Sequence, residues 1–291
     1  MPLGEYLNKP EYAYRPGQMA RRLRRAWFPG GSRAVVGLPW RLELRVRPDD
    51  DIGRAIWTTG IYDLAVSEVL WRLIEPGEAV VDGGANIGHM TSLMAFRAGA
   101  RGAVRAFEPH HGVFEELEAN VRGWAGTPSL ARIELHEEAL SDQAGTGRLV
   151  EGPAFERNRG TAHLAADGGA PVRLTTLDAQ FPATDIGVIK LDLEGHEAAA
   201  LRGAGRMLAS ARVRDIVYEA ANPASDEVAR LLAARGYTVL GIGKAFRGPL
   251  LSPQAGHPSC RWMPPSLLAT RDPGRAVARL RPRGWRCLRG R

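Results

Sequence analysis

Apolar positions recur along the chain with two different spacings, and the two patterns alternate from about residue 60 onward. Short continuous apolar runs, such as EAVVD at 78–82, are typical of buried strands. Longer stretches carry apolar residues at helical spacing, as Phe114, Leu117 and Val121 do within 111–122. Alternation of this kind predicts an α/β fold, with a doubly wound and mostly parallel sheet that has helices on both faces.

The predicted elements follow one another with short connections. Strands are predicted at 42–46, 78–82, 103–107, 132–136, 185–192, 213–218, 237–242 and 266–270. Helices are predicted at 63–74, 88–98, 111–122 and 196–208, and in a further segment with Ser225 as its N-cap and Gly236 after its last turn.

These elements suggest three parts of the chain. Residues 1–59 are expected to form an N-terminal extension with a short strand, 60–270 the α/β domain, and 271–291 a loose basic tail. Within the domain, the glycine-rich segment 145–171 is expected to form a hairpin or a lid.

Composition adds a basic character to this picture. The 291 residues carry a net charge of +7, and arginines cluster near residues 21–25 and 275–291. We interpret both clusters as solvated flanks first and anion-binding patches second. No apolar run reaches the roughly 20 residues of a membrane helix, and the N-terminus lacks a signal-peptide pattern, so we expect a cytoplasmic protein. The two cysteines, Cys260 and Cys287, are expected to be free thiols.

A glycine-rich turn follows the first strand of the predicted domain. In VVDGGANIGH, at 80–89, a buried strand leads directly into the turn and then into a helix. Glycines allow the backbone to turn sharply and to approach a ligand closely. Glu108 follows the next strand, where a carboxylate can accept hydrogen bonds from both ribose hydroxyls of an adenosine. The sequence therefore predicts a site for an adenosine-containing cofactor.

Charge favours one such cofactor over another. Asp82 stands at the mouth of the turn, and no Lys or Arg lies between it and His89. A dinucleotide would place its pyrophosphate beside this carboxylate and be repelled. S-adenosylmethionine (SAM) carries a sulfonium and an ammonium group instead, so we favour SAM over NAD.

The order of motifs resembles the FkbM-type family of SAM-dependent methyltransferases. The motifs are DGGANIG at 82–88, AFEP at 106–109, EALSD at 138–142, TTLD at 175–178 and IKLDLEGHE at 189–197. GIYD at 60–63 stands near a position where the family often has G-x-Y-E, and the resemblance extends to about residue 270.

This resemblance implies a Rossmann-like class I methyltransferase fold with an antiparallel final strand. It implies SAM as the methyl donor and O-methylation of a hydroxyl on a small molecule or glycan, as in natural-product or polysaccharide tailoring. It also implies which residues hold the donor. These are Asp82, Gly83, Gly84, Ala85, Asn86 and Gly88 around the methionine end, Glu108 at the ribose, and Leu140, Ser141 and Asp142 beside the adenine, with Tyr62 and Pro109 as further cofactor-binding residues.

Candidate catalytic residues follow the apolar strand at 185–192. Methyl transfer requires a base near the acceptor oxygen, and ligands bind beyond the carboxyl ends of parallel strands. We therefore select Asp192, Glu194 and His196. Each also has a structural interpretation, because Asp192 can cap the next helix, Glu194 can occupy its first turn, and His196 can be exposed.

Two further side chains and a metal were weighed at the same edge. Glu219 ends the next strand, where lining the crevice and standing in a loop are equally supported. His89 is interpreted as a surface residue at a helix N-terminus. Asp192, Glu194 and Glu219 have the hard oxygen ligands that Mg²⁺ prefers, but no spacing pattern requires a metal and we expect none.

Other functions remain as alternatives. The basic charge suggests a nucleic-acid methyltransferase, but the turn Asp192-Leu193-Glu194-Gly195 lacks the aromatic ring that stacks on a flipped base. We therefore expect no nucleic-acid partner. An NAD-dependent oxidoreductase or a non-enzymatic binding module on the same fold are further alternatives, and a homo-oligomer is compatible with the sequence.

Overall fold

The computed structural model describes residues 10–13, 32–220, 227–253 and 266–290. Its first elements are a four-residue helix, a two-stranded antiparallel ribbon and two longer helices. They are α1 (Pro10–Ala13), β1 (Ala34–Gly37), β2 (Glu43–Val46), α2 (Asp51–Thr59) and α3 (Leu64–Leu73). Asp50 caps α2, and α2 ends at Gly60 in the left-handed conformation. Trp40, Leu44 and Ile56 from this region are buried in one cluster with residues of the main sheet.

The main α/β unit then begins. Its first half contains β3 (Ala79–Gly83), α4 (His89–Ala98), β4 (Ala103–Phe107), α5 (His111–Gly123) and β5 (Arg132–His136). Four short strands follow, namely β6 (Ala139–Leu140), β7 (Gly145–Val150), β8 (His163–Ala165) and β9 (Ala170–Thr175). The second half contains α6 (Leu177–Gln180), β10 (Ile186–Leu191), α7 (Glu197–Arg202), α8 (Gly205–Ala209), β11 (Val213–Glu219), α9 (Glu227–Ala233), β12 (Thr238–Ala245), β13 (Gly248–Ser252), β14 (Ser266–Thr270) and α10 (Pro273–Leu280).

The main sheet has eight strands in the order β13-β12-β14-β11-β10-β3-β4-β5. Strands β5, β4, β3, β10 and β11 are parallel, whereas β14 is antiparallel to both of its neighbours. The chain proceeds outward from β3 in one direction and from β10 in the other. The carboxyl ends of β3 and β10 therefore form the topological switch point, where doubly wound sheets bind ligands.

The predicted fold class is confirmed. The structure has the mostly parallel sheet, and the final strand β14 is antiparallel as the resemblance implied. The edge strand β13 was not predicted, since its GPLLS segment is short and lacks a clear alternation. The expected hairpin within 145–171 is present, because β7 pairs antiparallel with β8 and β9 in a second, four-stranded sheet.

One predicted helix is wrong in its continuity. The segment 196–208 forms two helices, α7 and α8, which are separated near Gly203. A Cβ atom on Gly203 would overlap the carbonyl oxygen of Ser141, so the backbone here is in close contact with a distant segment. The predicted N-cap Ser225 lies outside the described residues.

The prediction of a loose basic tail is also wrong. Helix α10 packs against α3, and Trp285, Cys287 and Leu288 are buried in the main cluster. Arg275 and Arg279 donate to Glu75, so these arginines are ion-paired and are not part of a solvated flank. Buried Cys287 is a free thiol, whereas Cys260 lies outside the described residues. Across the described ranges, no helix combines the length and apolar character needed to cross a membrane.

Candidate functional site

The glycine loop after β3 is held tightly against its neighbours. The backbone N–H groups of Gly84 and Ala85 both donate to the carbonyl oxygen of Phe107, at 3.0 Å. Gly84 has φ of +71°, and a Cβ atom there would overlap the carbonyl oxygen of Asp192. Only glycine satisfies both conditions. The loop makes the sharp turn that the glycines predicted, and it is packed between the ends of β4 and β10.

Glu108 lies beside this loop at the end of β4. One carboxylate oxygen accepts from the N–H of Asn86 at 2.9 Å, and the other accepts from the N–H of His110 at 3.0 Å. The side chain is buried, and this burial raises the pKa of Glu108 although both backbone hydrogen bonds favour the ionised form. A carboxylate has about four acceptor positions, so two remain for a ligand. The backbone bonds fix the direction in which those positions point.

Asp82 occupies a different environment from the one that the sequence suggested. Its carboxylate is fully buried, accepts from the Thr91 hydroxyl at 2.6 Å, and lies 3.4 Å from Lys190 Nζ. Lys190 and Asp82 are cross-strand partners in the β10–β3 register, which explains this pairing. Burial raises the pKa of Asp82, whereas Lys190 opposes that change. Asp82 therefore has a structural role next to the loop, and Lys190 largely neutralises the charge that Asp82 would present to a ligand.

Lys190 was missed by sequence reasoning. Its ammonium group is buried, donates to the carbonyl oxygens of Gly83 and Gly84, and lies 3.6 Å from Asp192 Oδ2. Burial alone lowers the pKa of Lys190, but Asp82 and Asp192 outweigh it and the net shift is upward. A lysine inside an apolar strand (IKLD) was the available signal, because burial of a charge demands partners.

A cavity of about 350 Å³ opens at the switch point between β3 and β10. It is large enough for a cofactor-sized ligand. The predicted residues that line it are Tyr62, Gly84, Ala85, Asn86, Glu108, Pro109, Leu140, Asp192, Glu194 and His196. The turn at 158–162 and His163 from the second sheet form the facing wall.

Five predicted residues do not line the cavity. They are Asp82, Gly83, Gly88, Ser141 and Asp142. Gly88 faces Leu117 and Trp124 on and after α5, so its small size serves packing. Ser141 is buried behind His196 and its hydroxyl lies 3.0 Å from His196 Nε2, while Asp142 lies 3.7 Å from Arg202 Nε near the surface. Their expected role beside an adenine stays a prediction.

One end of the cavity is strongly acidic. Asp63, Asp192, Glu194 and Glu219 all line it, and Lys190 is the cation nearest to Asp192 among the described ion pairs. Glu219 is hydrogen-bonded to Asp192, and burial together with this neighbour raises the pKa of Glu219. The site therefore includes Glu219, for which sequence reasoning left two interpretations open.

Within this group, Glu194 has an unusual backbone conformation and a raised pKa. It has φ of +52° and precedes Gly195 at +94°, so the turn after β10 is left-handed. An L-residue in this conformation costs about 1–2 kcal/mol, and such strain concentrates at functional sites. Burial, followed by the charges of Asp192 and Glu197, raises the pKa of Glu194 to about 7. This carboxyl can exchange a proton near neutral pH.

His196 lines the cavity, where a candidate site residue is expected, whereas His89 departs from its expected position. His196 lines the cavity at the start of α7, and burial lowers the pKa of its ring. His89, interpreted from sequence as a surface residue, is buried against Trp40 and also lines the cavity. Helix α4 is buried from its first turn onward. The few residues after the loop do not carry an apolar pattern that predicts this burial.

Comparison with known proteins agrees with this geometry. A family model described as the methyltransferase FkbM domain matches residues 82–239. A search of curated proteins finds no match. Among solved structures, the methyltransferase FkbM from Methylobacillus flagellatus KT is 18% identical, with a TM-score of 0.44, and the alignment covers 66% of this chain and 43% of that one. The chain thus spans less than half of that relative's length.

Two further structures are similar at a lower level. A SAM-dependent O-methyltransferase from Thermotoga maritima is 12% identical, with 83% of this chain and 93% of that chain covered and a TM-score of 0.40. Aeropyrum pernix fibrillarin, solved with natively bound S-adenosyl-L-methionine, is 13% identical, with 70% and 74% covered and a TM-score of 0.40.

Proposed function

Because the chain belongs to the FkbM methyltransferase family, we propose that it transfers a methyl group from SAM to a hydroxyl group of a small molecule or glycan. The observation that carries this proposal is the cavity at the switch point, with Glu108 beside the glycine loop at one end and a group of carboxylates at the other. The first end suits an adenosine and the second suits both a cationic donor and an acceptor hydroxyl.

The residues present fit SAM. Glu108 keeps free acceptor positions toward the cavity for two ribose hydroxyls, and its orientation is fixed by the N–H groups of Asn86 and His110. Asp192, together with the ionised form of Glu194, supplies negative charge that suits the cationic sulfonium and ammonium groups. When bound, SAM supplies a methyl group that is already activated by its sulfonium.

The negative charge that would face a dinucleotide comes from residues other than Asp82. Asp82 is paired with Lys190 and does not line the cavity, so it does not face a ligand directly. The carboxylates that would oppose a pyrophosphate are Asp192 and the ionised form of Glu194, directly after β10. A pyrophosphate placed beside them would be repelled.

Glu194 is the side chain that we assign as the base. A base works best when its pKa lies near the operating pH, and the pKa of Glu194 is raised to about 7. His196 is the alternative, but its Nε2 is engaged with the Ser141 hydroxyl at 3.0 Å and its pKa is lowered by burial. Asp192, next to Lys190, is assigned to the electrostatic environment of the donor.

Binding and turnover test this proposal together. We expect calorimetric titration to show binding of SAM and S-adenosylhomocysteine (SAH) but not of NAD. Glu108→Ala should weaken SAH binding by about tenfold or more, since two hydrogen bonds to a charged group are lost. Glu118→Ala, at an exposed glutamate on α5, is the matched control and should bind as the wild type does.

Transfer itself is measured with radiolabelled methyl donor and a panel of sugars and hydroxylated small molecules. Label recovered in an alkali-stable methyl ether supports O-methylation, whereas label on an amine shows N-methylation and overturns the proposed acceptor class. Binding of NAD without SAM or SAH would overturn the methyltransferase proposal as a whole.

A further inference from the structure

His89 stands at the first position of α4, directly after the glycine loop. The side chain is 4% exposed and lines the cavity. Its ring packs at 62° against Trp40, with centroids 5.4 Å apart. A histidine buried at a ligand cavity has two nitrogens that both need partners, so the hydrogen bonds of each decide its role.

The two ring nitrogens are in different situations. Nε2 accepts a hydrogen bond from the backbone N–H of Tyr62 at 3.3 Å. Accepting requires a lone pair on Nε2, so the proton of the neutral ring belongs on Nδ1. Burial and the charge of Lys190 lower the pKa of His89 to about 3, which keeps the ring neutral. Within the described part of the chain, Nδ1 is buried and has no hydrogen-bond partner.

The helix that His89 begins adds an independent feature. Helix α4 has ten residues, and its N-cap Gly88 provides no side-chain hydrogen bond. The first-turn N–H groups of a helix have no intrahelical partner, and the helix dipole makes this end partly positive. Helix N-termini of this kind bind anionic groups. An unpartnered imidazole N–H and an uncapped helix N-terminus therefore occur at the same place.

We infer that the Nδ1–H of His89, together with the N-terminus of α4, binds the carboxylate of the amino-acid end of the methyl donor. This rests on the proposed function. Of the groups that SAM carries, only the carboxylate is an anionic acceptor. Asp192 and the ionised form of Glu194 stand directly after β10, where they would attract the ammonium group and repel the carboxylate, so the α4 side of the cavity is the favourable one for the carboxylate.

The competing interpretation is that His89 only holds the loop that carries Tyr62, through Nε2. Two substitutions separate these roles. His89→Gln keeps an acceptor near the Nε2 position and removes the donor at Nδ1, whereas His89→Asn keeps a donor near Nδ1 and removes the acceptor. A carboxylate-binding role predicts that the glutamine variant is the defective one, and a loop-holding role predicts the reverse.

The experiment titrates wild type and both variants with SAH and with its decarboxylated analogue, S-adenosyl-3-thiopropylamine. We expect His89→Gln to weaken SAH binding about tenfold, as for one hydrogen bond to a charged group, and to leave the analogue unaffected. His89→Asn should bind SAH nearly as the wild type does. As a measurement independent of substitution, the Nδ1–H resonance of ¹⁵N-histidine-labelled wild type should shift on addition of SAH and not of the analogue.

The outcomes are distinguishable. Suppose that the wild type binds SAH and that His89→Gln either binds SAH equally well or loses the same affinity for SAH and for the analogue. The carboxylate assignment is then wrong and the proposed function stands. An Nδ1–H resonance that ignores SAH leads to the same conclusion. If the wild type binds neither adenosyl ligand, the proposed function fails first and the assignment of His89 fails with it.

Discussion

Asp192 and Glu194 are two positions apart in sequence but have different surroundings. The Asp192 carboxylate lies 3.6 Å from the ammonium group of Lys190. Among the ion pairs of the described residues Glu194 has no such partner, and it stands in a left-handed turn among other carboxylates. Because environment sets the protonation of a carboxyl, Glu194 is suited to accept a proton, whereas Asp192 is held beside an ammonium group.

This difference predicts a pH profile. The pKa of Glu194 is raised to about 7, so below this pH the carboxyl is protonated and cannot act as a base. We expect kcat/KM for the acceptor to rise with pH through about 7 and to level off above it. Glu194→Gln should lower kcat by on the order of 10²–10⁴-fold.

The control for this profile is SAH binding, which Glu194→Gln should weaken far less than it lowers kcat. Glu118→Gln, at an exposed position, should keep both the rate and the shape of the profile. If Glu194→Gln retains the wild-type profile and His196→Ala abolishes the rise near neutral pH, the base is His196 and our assignment is wrong.

Among the elements, the glycine loop shows how a short segment depends on its neighbours. Gly84 combines a left-handed backbone with an overlap that any Cβ atom would make with the Asp192 carbonyl oxygen. Gly126 has a similar φ, +84°, but open space around the Cβ position. The pair therefore separates the conformational preference of glycine from the effect of close packing.

We expect Gly126→Ala to lower the free energy of unfolding by about 1–2 kcal/mol, the cost of a left-handed L-residue. Gly84→Ala should cost more and should also weaken SAH binding, because the loop must move away from β10. Chemical unfolding and calorimetry on both variants measure the two effects. If Gly84→Ala and Gly126→Ala lose the same stability and Gly84→Ala still binds SAH as the wild type does, the overlap expected at position 84 does not occur.

Elements whose signal is local were predictable from sequence. Continuous apolar runs predicted β3, β4, β10 and β11. A strand that is buried on both faces is apolar at nearly every position, so it can be recognised without knowing its neighbours. The division between α7 and α8 depends on contact of Gly203 with Ser141, and the burial of Lys190 depends on its register with Asp82. Sequence alone does not contain such pairings, so the charge balance of the loop was misjudged.

At the scale of the whole molecule, the C-terminal segment is held against α3 by buried polar contacts. Glu68 and Arg72 on α3 form a buried ion pair at 2.6 Å. Glu68 also accepts the backbone N–H groups of Arg286 and Cys287 at 2.8 Å, and Arg72 donates to the carbonyl oxygens of Leu280, Pro282 and Gly284 among others. Two side chains of one helix thus satisfy the backbone of a segment more than 200 positions away.

This arrangement makes α3 the support for both the C-terminal segment and the site. Asp63, whose carboxylate accepts from the Val66 N–H at 3.0 Å, caps the same helix and lines the cavity. Burial raises the pKa of Asp63. A chain without its last residues would therefore expose Glu68 and Arg72 as well as apolar surface. Trp285, Cys287 and Leu288 of this segment therefore belong to the core, while Arg281, Arg283 and Arg286 remain exposed.

Two ion pairs with the same helical spacing allow this role to be tested. Glu68→Ala leaves the guanidinium of Arg72 buried without its counter-charge and removes acceptors for two N–H groups, so we expect the free energy of unfolding to fall by about 3–5 kcal/mol. Glu118→Ala breaks the exposed pair with Arg122 and should cost less than about 1 kcal/mol. Urea unfolding measures both, and limited proteolysis should release the C-terminal segment from the Glu68 variant alone. Similar losses in the two variants, with the segment equally protected, would mean that the apolar contacts of Trp285 and Leu288 hold it without the ion pair.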